Sequence, residues 1–274
     1  MEQIKHTHVQ VRGLRLHVAE IGTGTKVVLF LHGFPEIWYT WRHQMVAVAE
    51  AGYRAIAIDF RGYGLSDQPP EPEKGTLMDL VDDVVALLDT LGISKVFLVG
   101  KDFGALPISL LAALHPDRVS AFVTLGVPFM LPGANAVQNH LMPKVAGDDQ
   151  EIMDLVDPST PLPPWFSEED LAVYASLYEK SGFRYPLQVP YRSLVIDSGI
   201  TCPKVKCPAL FIMGEKDYVL KFVGMEDYIR SGQVKNFVPE LSILFLEEGS
   251  HFVHEQLPEQ VNAILIDFLN KHSN

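Results

Sequence analysis

From Ile4 to Val11 polar and β-branched residues alternate, Gly13 marks a turn, and Leu14 to Ile21 continues on the same period of two. That pattern predicts an antiparallel hairpin with one covered face. The pattern then changes. Lys26 to Leu31 is an unbroken apolar run, and similar runs recur at Arg54 to Ile58, after Lys95, at Val119 to Leu125, at Pro208 to Gly214 and at Leu241 to Leu246. Strands without a polar face belong inside a parallel sheet covered on both sides. Between them, Thr76 to Leu91 carries apolar residues at helical spacing with Gly92 as a stop signal. Ala105 to Leu114 is apolar almost all round, with Pro107 tolerated in its first turn, and helical patterns recur at Gly224 to Arg230 and Leu257 to Leu269. Strand and helix alternate, which predicts an α/β fold: a mainly parallel eight-stranded sheet, doubly wound, with helices on both faces.

Between Gly126 and about Lys204 the alternation stops and proline, acids and tyrosine take over. The economical division is a core of residues 1–126 and 205–274, with residues 127–204 inserted after the sixth strand as a helical cap. Within the insert, Pro161 to Trp165 reads as a stiff connector, and Ser167 followed by Glu168, Glu169 and Asp170 as a helix start. That helix is expected to run to Lys180 and close at Gly182. Four tyrosines lie here, Tyr174, Tyr178, Tyr185 and Tyr191, each able to anchor cap to core by a buried ring and a bonded hydroxyl.

Charge narrows the partners. The chain has 274 residues and a net charge of -12, from 22 Lys plus Arg against 34 Asp plus Glu, which argues against nucleic acid and anionic membrane. Two cysteines, Cys202 and Cys207, cannot make a disulfide framework or a four-ligand zinc site. No metal or cofactor is expected. Without a signal-peptide pattern, a membrane-length apolar run or a peroxisomal ending at Lys271 to Asn274, the expected location is the cytoplasm.

The chemistry gathers at Lys95 to Gly104, K-V-F-L-V-G-K-D-F-G, where a strand stops at a turn flanked by Gly100 and Gly104. This is the spacing of a nucleophile elbow, but its centre is Asp102 rather than serine. A carboxylate is ionised at neutral pH and needs no base to attack saturated carbon, becoming an ester. Its partners must follow later strands, because open α/β sheets bind ligands at the carboxyl edge. Asp217, after the strand ending at Gly214, and His251, after the strand ending at Leu246, complete the order nucleophile, acid, histidine. Glu215 competes for the acid and His254 for the histidine. In this reading His251, oriented by Asp217, takes a proton from water, which attacks the ester. The oxyanion would be held by the backbone N–H groups of Phe103 and Phe34. Asp59 to Asp67 is a glycine-rich loop read as structural, and Phe34, Trp38, Phe103 and cap aromatics are expected to line an apolar pocket.

The motifs H-G-F-P-E at His32 to Glu36, D-F-R-G-Y-G-L-S-D at Asp59 to Asp67, G-K-D-F-G at Gly100 to Gly104 and G-S-H-F-V at Gly249 to Val253 resemble those of plant soluble epoxide hydrolases of the α/β-hydrolase superfamily. The resemblance spans nearly the whole chain. It implies conversion of epoxides to vicinal diols, and the expected aromatic lining of the pocket suggests lipophilic ones, such as fatty-acid or aryl epoxides. Tyr178 to Arg192 resembles the family's distal cap, which makes Tyr191, just before Arg192, the donor to the epoxide oxygen, and Glu36 a group that positions the hydrolytic water. The family also supplies a first cap tyrosine, near Leu141 to Asp148 here, yet this chain has no tyrosine between Tyr63 and Tyr174. The cap reads as shorter than the family's by several tens of residues, which leaves three outcomes open: one tyrosine suffices at reduced rate, Tyr185 or a water fills in, or the pocket is malformed and the protein is a poor enzyme. A trimmed cap would expose apolar surface and favour a homodimer. A haloalkane dehalogenase would share the aspartate but wants a tryptophan where Phe103 stands, and fluoroacetate-type dehalogenases want an arginine after the elbow aspartate. An esterase would need a serine at the elbow. The remaining alternative is a relative that binds a small apolar ligand without turning it over.

Overall fold

In the computed structural model, residues 3–131, 157, 159–194, 199–200 and 203–273 are described. The first half contains β1 (Lys5–Val11), β2 (Leu14–Ile21), β3 (Val27–Leu31), α1 (Arg42–Glu50), β4 (Arg54–Ile58), α2 (Leu77–Thr90), β5 (Val96–Lys101), α3 (Ala105–Leu114) and β6 (Val119–Leu125). The second contains α4 (Glu168–Ser181), α5 (Val189–Ser193), β7 (Ala209–Gly214), α6 (Met225–Arg230), β8 (Leu241–Leu246), α7 (Val253–Gln256) and α8 (Pro258–Lys271). Among the described residues no helix is long and apolar enough to cross a membrane.

The eight strands form one sheet in the order β1-β2-β4-β3-β5-β6-β7-β8, antiparallel at β1/β2 and β2/β4 and parallel from β4 onward. Every residue of β3, β5 and β7 is buried, as their unbroken apolar runs predict. The chain steps from β3 out to β4 and then back past β3 to β5. Right-handed crossovers therefore put α1 and α2 on opposite faces and open a crevice between the carboxyl ends of β3 and β5.

Predicted helix ends are observed as side-chain caps. Thr76 and Asp79 form a reciprocal capping box at the start of α2, and Ser167 and Asp170 do the same for α4, which ends at Gly182 with φ +66°. The sequence pattern gave no sign of α1. Its first residues, Arg42 and Gln44, are buried polar side chains bound to Glu255 and to the His254 carbonyl, and they interrupt the short apolar face of Met45 and Val48. Leu141 to Asp148, where the first cap tyrosine was expected, and Cys202 lie outside the described residues.

Candidate active site

Asp102 stands directly after β5 with φ +52°, left-handed backbone that a non-glycine residue adopts only under constraint from its surroundings. Two glycines make room for it. A Cβ on Gly104 would come within 2.3 Å of the Leu31 carbonyl oxygen, and one on Gly33 within 2.6 Å of the Asp102 Cβ. The elbow therefore packs backbone on backbone against the end of β3. There the Phe34 N–H donates to Asp102 Oδ1 at 3.1 Å, and the Phe34–Pro35 peptide is cis.

His251, after β8, lies between two carboxylates. Its Nδ1 is 2.9 Å from both oxygens of Asp217, and its Nε2 is 3.2 Å from Asp102 Oδ2. Both contacts are hydrogen bonds only when both ring nitrogens carry protons. Burial and the Lys101 charge push the imidazole pKa down, but hydrogen bonds to Asp102 and Asp217 outweigh them and raise it. For Asp102, burial works upward, but the His251 hydrogen bond, the Lys101 charge and a backbone hydrogen bond from Phe103 bring the carboxyl down to about 2. Asp217 is oriented in turn by the Val219 N–H at 2.9 Å. Glu215 faces away and pairs with Arg230 at the surface.

Tyr191, near the start of α5, is half-buried, its ring 5.0 Å from that of Phe103 and 6.3 Å from that of Phe34. Burial, with the nearby Asp102 charge adding to it, raises its pKa, so the phenol keeps its proton. Glu36 lies just beyond Gly33, whose N–H donates to Glu36 Oε2 at 3.2 Å; burial raises this carboxyl, and the Lys101 charge opposes the shift.

Two residues expected at the pocket lie elsewhere. Trp38 is buried on the far side of its turn, its ring 4.7 Å from His6 and 5.9 Å from His17, because its backbone N–H is tied to Asp59 Oδ1 at 2.8 Å. Tyr185 is fully buried over Gly62 and Gly75, its ring 6.4 Å from Tyr63, so it fastens α5 to the core. Asp59 also accepts from His17 and from the Leu65 N–H, as befits a structural loop. Conversely, Tyr218 was not anticipated. It follows Asp217, is half exposed, and lays its ring 4.6 Å from His251.

A cavity of about 390 Å³ lies against α4, walled by Trp165, Phe166, Tyr174, Phe183 and Phe252, with Glu36 and Glu255 on its floor. It adjoins the acid site through Glu36 and Phe252 rather than through Asp102 itself. Glu36, His254 and Glu255 place their ligand atoms within 4.8 Å of one another, a spacing a metal could use. The chain's own cations already occupy that role: Arg42 reaches Glu255 at 2.6 Å and Lys101 reaches Glu36 at 3.3 Å. Burial and these same charges push His254 far below the usual imidazole range.

Residues 26–161 match the family model for the alpha/beta hydrolase fold. Epoxide hydrolase 2 of Siraitia grosvenorii is 36% identical over 317 aligned positions, covering 99% of this chain and 100% of that protein. The chain belongs to the epoxide hydrolase family. Among solved structures, an epoxide hydrolase from Vigna radiata superposes with a TM-score of 0.88 at 35% identity, covering 99% of each chain. A laboratory-evolved variant of the potato epoxide hydrolase gives 0.87 at 34% identity, covering 98% of this chain and 99% of that one. Within this family the chain is short. An alignment of 317 positions with a chain of 274 residues must set some of the relative's residues opposite gaps.

Proposed function

We infer that this protein hydrolyses lipophilic epoxides to vicinal diols through a covalent ester on Asp102. One observation carries the reading: a carboxylate, not a hydroxyl, occupies a strained elbow, with Phe34 N–H on one oxygen and His251 on the other. Oδ1 is held by the backbone, so Oδ2 attacks the ring carbon, and the C–O bond of the oxirane breaks. Tyr191 gives its proton to the departing alkoxide, a stronger base than a phenolate. With Asp102 now uncharged, His251 sheds a proton that restores Tyr191 by way of solvent. Neutral His251, held by Asp217, then takes a proton from water as the oxygen adds to the ester carbonyl. The N–H groups of Phe34 and Phe103 receive the oxyanion, a contribution of about 2.7 to 4 kcal/mol for a donor of this kind. On collapse the ester C–O bond breaks, protonated His251 gives its proton to the departing alkoxide to free the diol, and the acid proton left on Asp102 passes back to His251, restoring the carboxylate beside a protonated imidazole.

Residues 127–204 would act as the cap, with α4 and its apolar cavity taking the substrate's hydrocarbon part. No resident metal or cofactor takes part in this reading. A cytoplasmic location and a homodimer formed through apolar cap surface belong to the same proposal. The deciding experiment is intact-protein mass spectrometry of His251→Gln after exposure to an aryl epoxide, with diol formation by the wild type assayed in parallel. An adduct on Asp102 together with wild-type diol is expected. Neither, across several epoxides, would move the protein to the class that binds apolar ligands without turnover. In the same assay Tyr191→Phe should slow alkylation by about 10²-fold or more while leaving ester hydrolysis unchanged.

A further inference from the structure

Lys101 is the last residue of β5 and immediately precedes Asp102, yet its side chain is fully buried at 0% exposure. Asp102 leaves the strand in left-handed backbone, so the two side chains part at the strand end, and no ion pair joins them although the Lys101 charge is felt at the Asp102 carboxyl. It ends 3.3 Å from Glu36 Oε2 and 4.1 Å from the ring centre of Phe252, the residue after His251. It makes no hydrogen bond of ordinary geometry among the described residues. Burying an ammonium with a single ion-pair partner is costly, and an apolar side chain of the same length would fill the space more cheaply.

The charge matters to His251. That imidazole is faced by Asp102 and Lys101 from the end of β5, by Asp217 and Tyr218 from the loop after β7, by Glu36 from the loop after β3, and by His254 from its own segment. In the covalent reaction only Asp102 must lose its charge between one half-reaction and the next. While it is a carboxylate it holds His251 protonated; once it is an ester, that hydrogen bond and that charge disappear together. Asp217, with a weaker contribution from Glu36, then favours the proton, and burial and Lys101 oppose it.

We propose that Lys101 serves the second half-reaction: its fixed positive charge drives His251 to the neutral form in the ester intermediate and so sets the pH above which the ester is hydrolysed. The proposal rests on the covalent Asp102 reading and makes Lys101 a positioning residue, acting through His251 without touching substrate. Its sign is definite. Removing the charge lets His251 keep its proton to higher pH, so hydrolysis must fail on the acid side while alkylation persists, since an Asp102 near 2 is ionised with or without its neighbour.

The test is rapid-quench kinetics with an aryl epoxide across pH, resolving ester formation from ester hydrolysis in wild type, Lys101→Gln, Lys101→Met and Lys101→Arg. The neutral variants should move the hydrolysis midpoint up by about one pH unit, making hydrolysis about tenfold slower below it, with alkylation near neutrality within about threefold of wild type. Lys101→Arg should restore the wild-type midpoint. Neutral variants that form ester yet hydrolyse it with the wild-type midpoint would overturn the assignment, and so would an arginine variant displaced as far as they are. A second measurement does not depend on the neutral variants folding. In Asp102→Asn, which mimics the uncharged ester, the His251 imidazole followed by NMR should titrate below the wild-type enzyme and below about 6.5, the ordinary value. A value at or above it would overturn the proposal. Absence of any adduct on Asp102 in every protein, His251→Gln included, would remove the covalent reading itself and this proposal with it.

Discussion

Two buried clusters lie side by side at the carboxyl edge of the sheet, each built from two carboxylates and a histidine. In one, His251 sits between Asp102 and Asp217; in the other, His254 sits with Glu36 and Glu255 around the Thr40 hydroxyl, which is 2.6 Å from His254 Nε2, 2.9 Å from Glu36 and 2.8 Å from Glu255. The histidines stand three positions apart, yet at His251 burial is outweighed by the hydrogen bonds to Asp102 and Asp217, which raise its pKa, while burial and the nearby cations depress that of His254. The cations decide. Arg42 spans Glu255 and Asp170, at 2.6 and 3.0 Å, and Lys101 pairs with Glu36, so the second cluster has no free carboxylate with which to hold a proton on its histidine. The first has two carboxylates and no directly paired cation. Residue types alone do not make a base; the balance of opposite charge around them does.

The largest expected break in this comparison exchanges the two histidines as targets. His251→Gln should lower turnover by about 10⁴-fold or more and trap the ester, whereas His254→Gln should leave turnover within about tenfold and lower stability by about 1 to 3 kcal/mol. Diol assays and denaturant titration of both variants check it. Next, Arg42→Met strips the locked cluster of its main cation and leaves Glu255 buried without its partner. Unfolding free energy should fall by about 3 kcal/mol or more, with the apparent pKa of ester hydrolysis by His251 moved far less than by a change at Lys101. The smallest effect is on acid stability. Because the folded Asp102 carboxyl lies near 2, below its unfolded value of about 3.9, its contribution is complete above pH 4 and fades as pH falls toward 2. The raised His251 value reflects the same ion pair from the imidazole side, together with the hydrogen bond to Asp217. Removing that pair in Asp102→Asn should flatten the acid limb of stability by about 2 kcal/mol, read as melting temperature against pH between 2 and 5.

Much of this was legible in the sequence, for reasons that differ by element. The interior strands could be read because burial on both faces forbids polar residues in them, and the helix starts because Thr76 and Ser167 must satisfy free backbone N–H groups. The elbow and the later acid and histidine could be read because each follows a strand at the one edge where side chains can converge. What escaped was decided by tertiary packing. Helix α1 carries its buried polar residues for the benefit of Glu255 and His254, more than two hundred positions away. Trp38 and Tyr185 belong to the right loops but turn to the wrong sides, and no spacing rule predicts which way an aromatic ring turns. Tyr218 reaches His251 only because β7 and β8 are neighbours in the sheet.

The insert containing α4 and α5 leaves the sheet after β6 and returns at β7, and those two strands are hydrogen-bonded neighbours, with Phe122 opposite Ala209 and Leu125 opposite Ile212. Its exit and re-entry points are therefore pinned beside each other by the core, whatever lies between. Residues can be added or removed there at little entropic cost, since closing a loop between fixed ends depends only weakly on its length. The fold thus separates two parts: an elbow, acid and histidine fixed to strand ends, whose positions cannot move, and an insertion between β6 and β7 whose length can change without disturbing them.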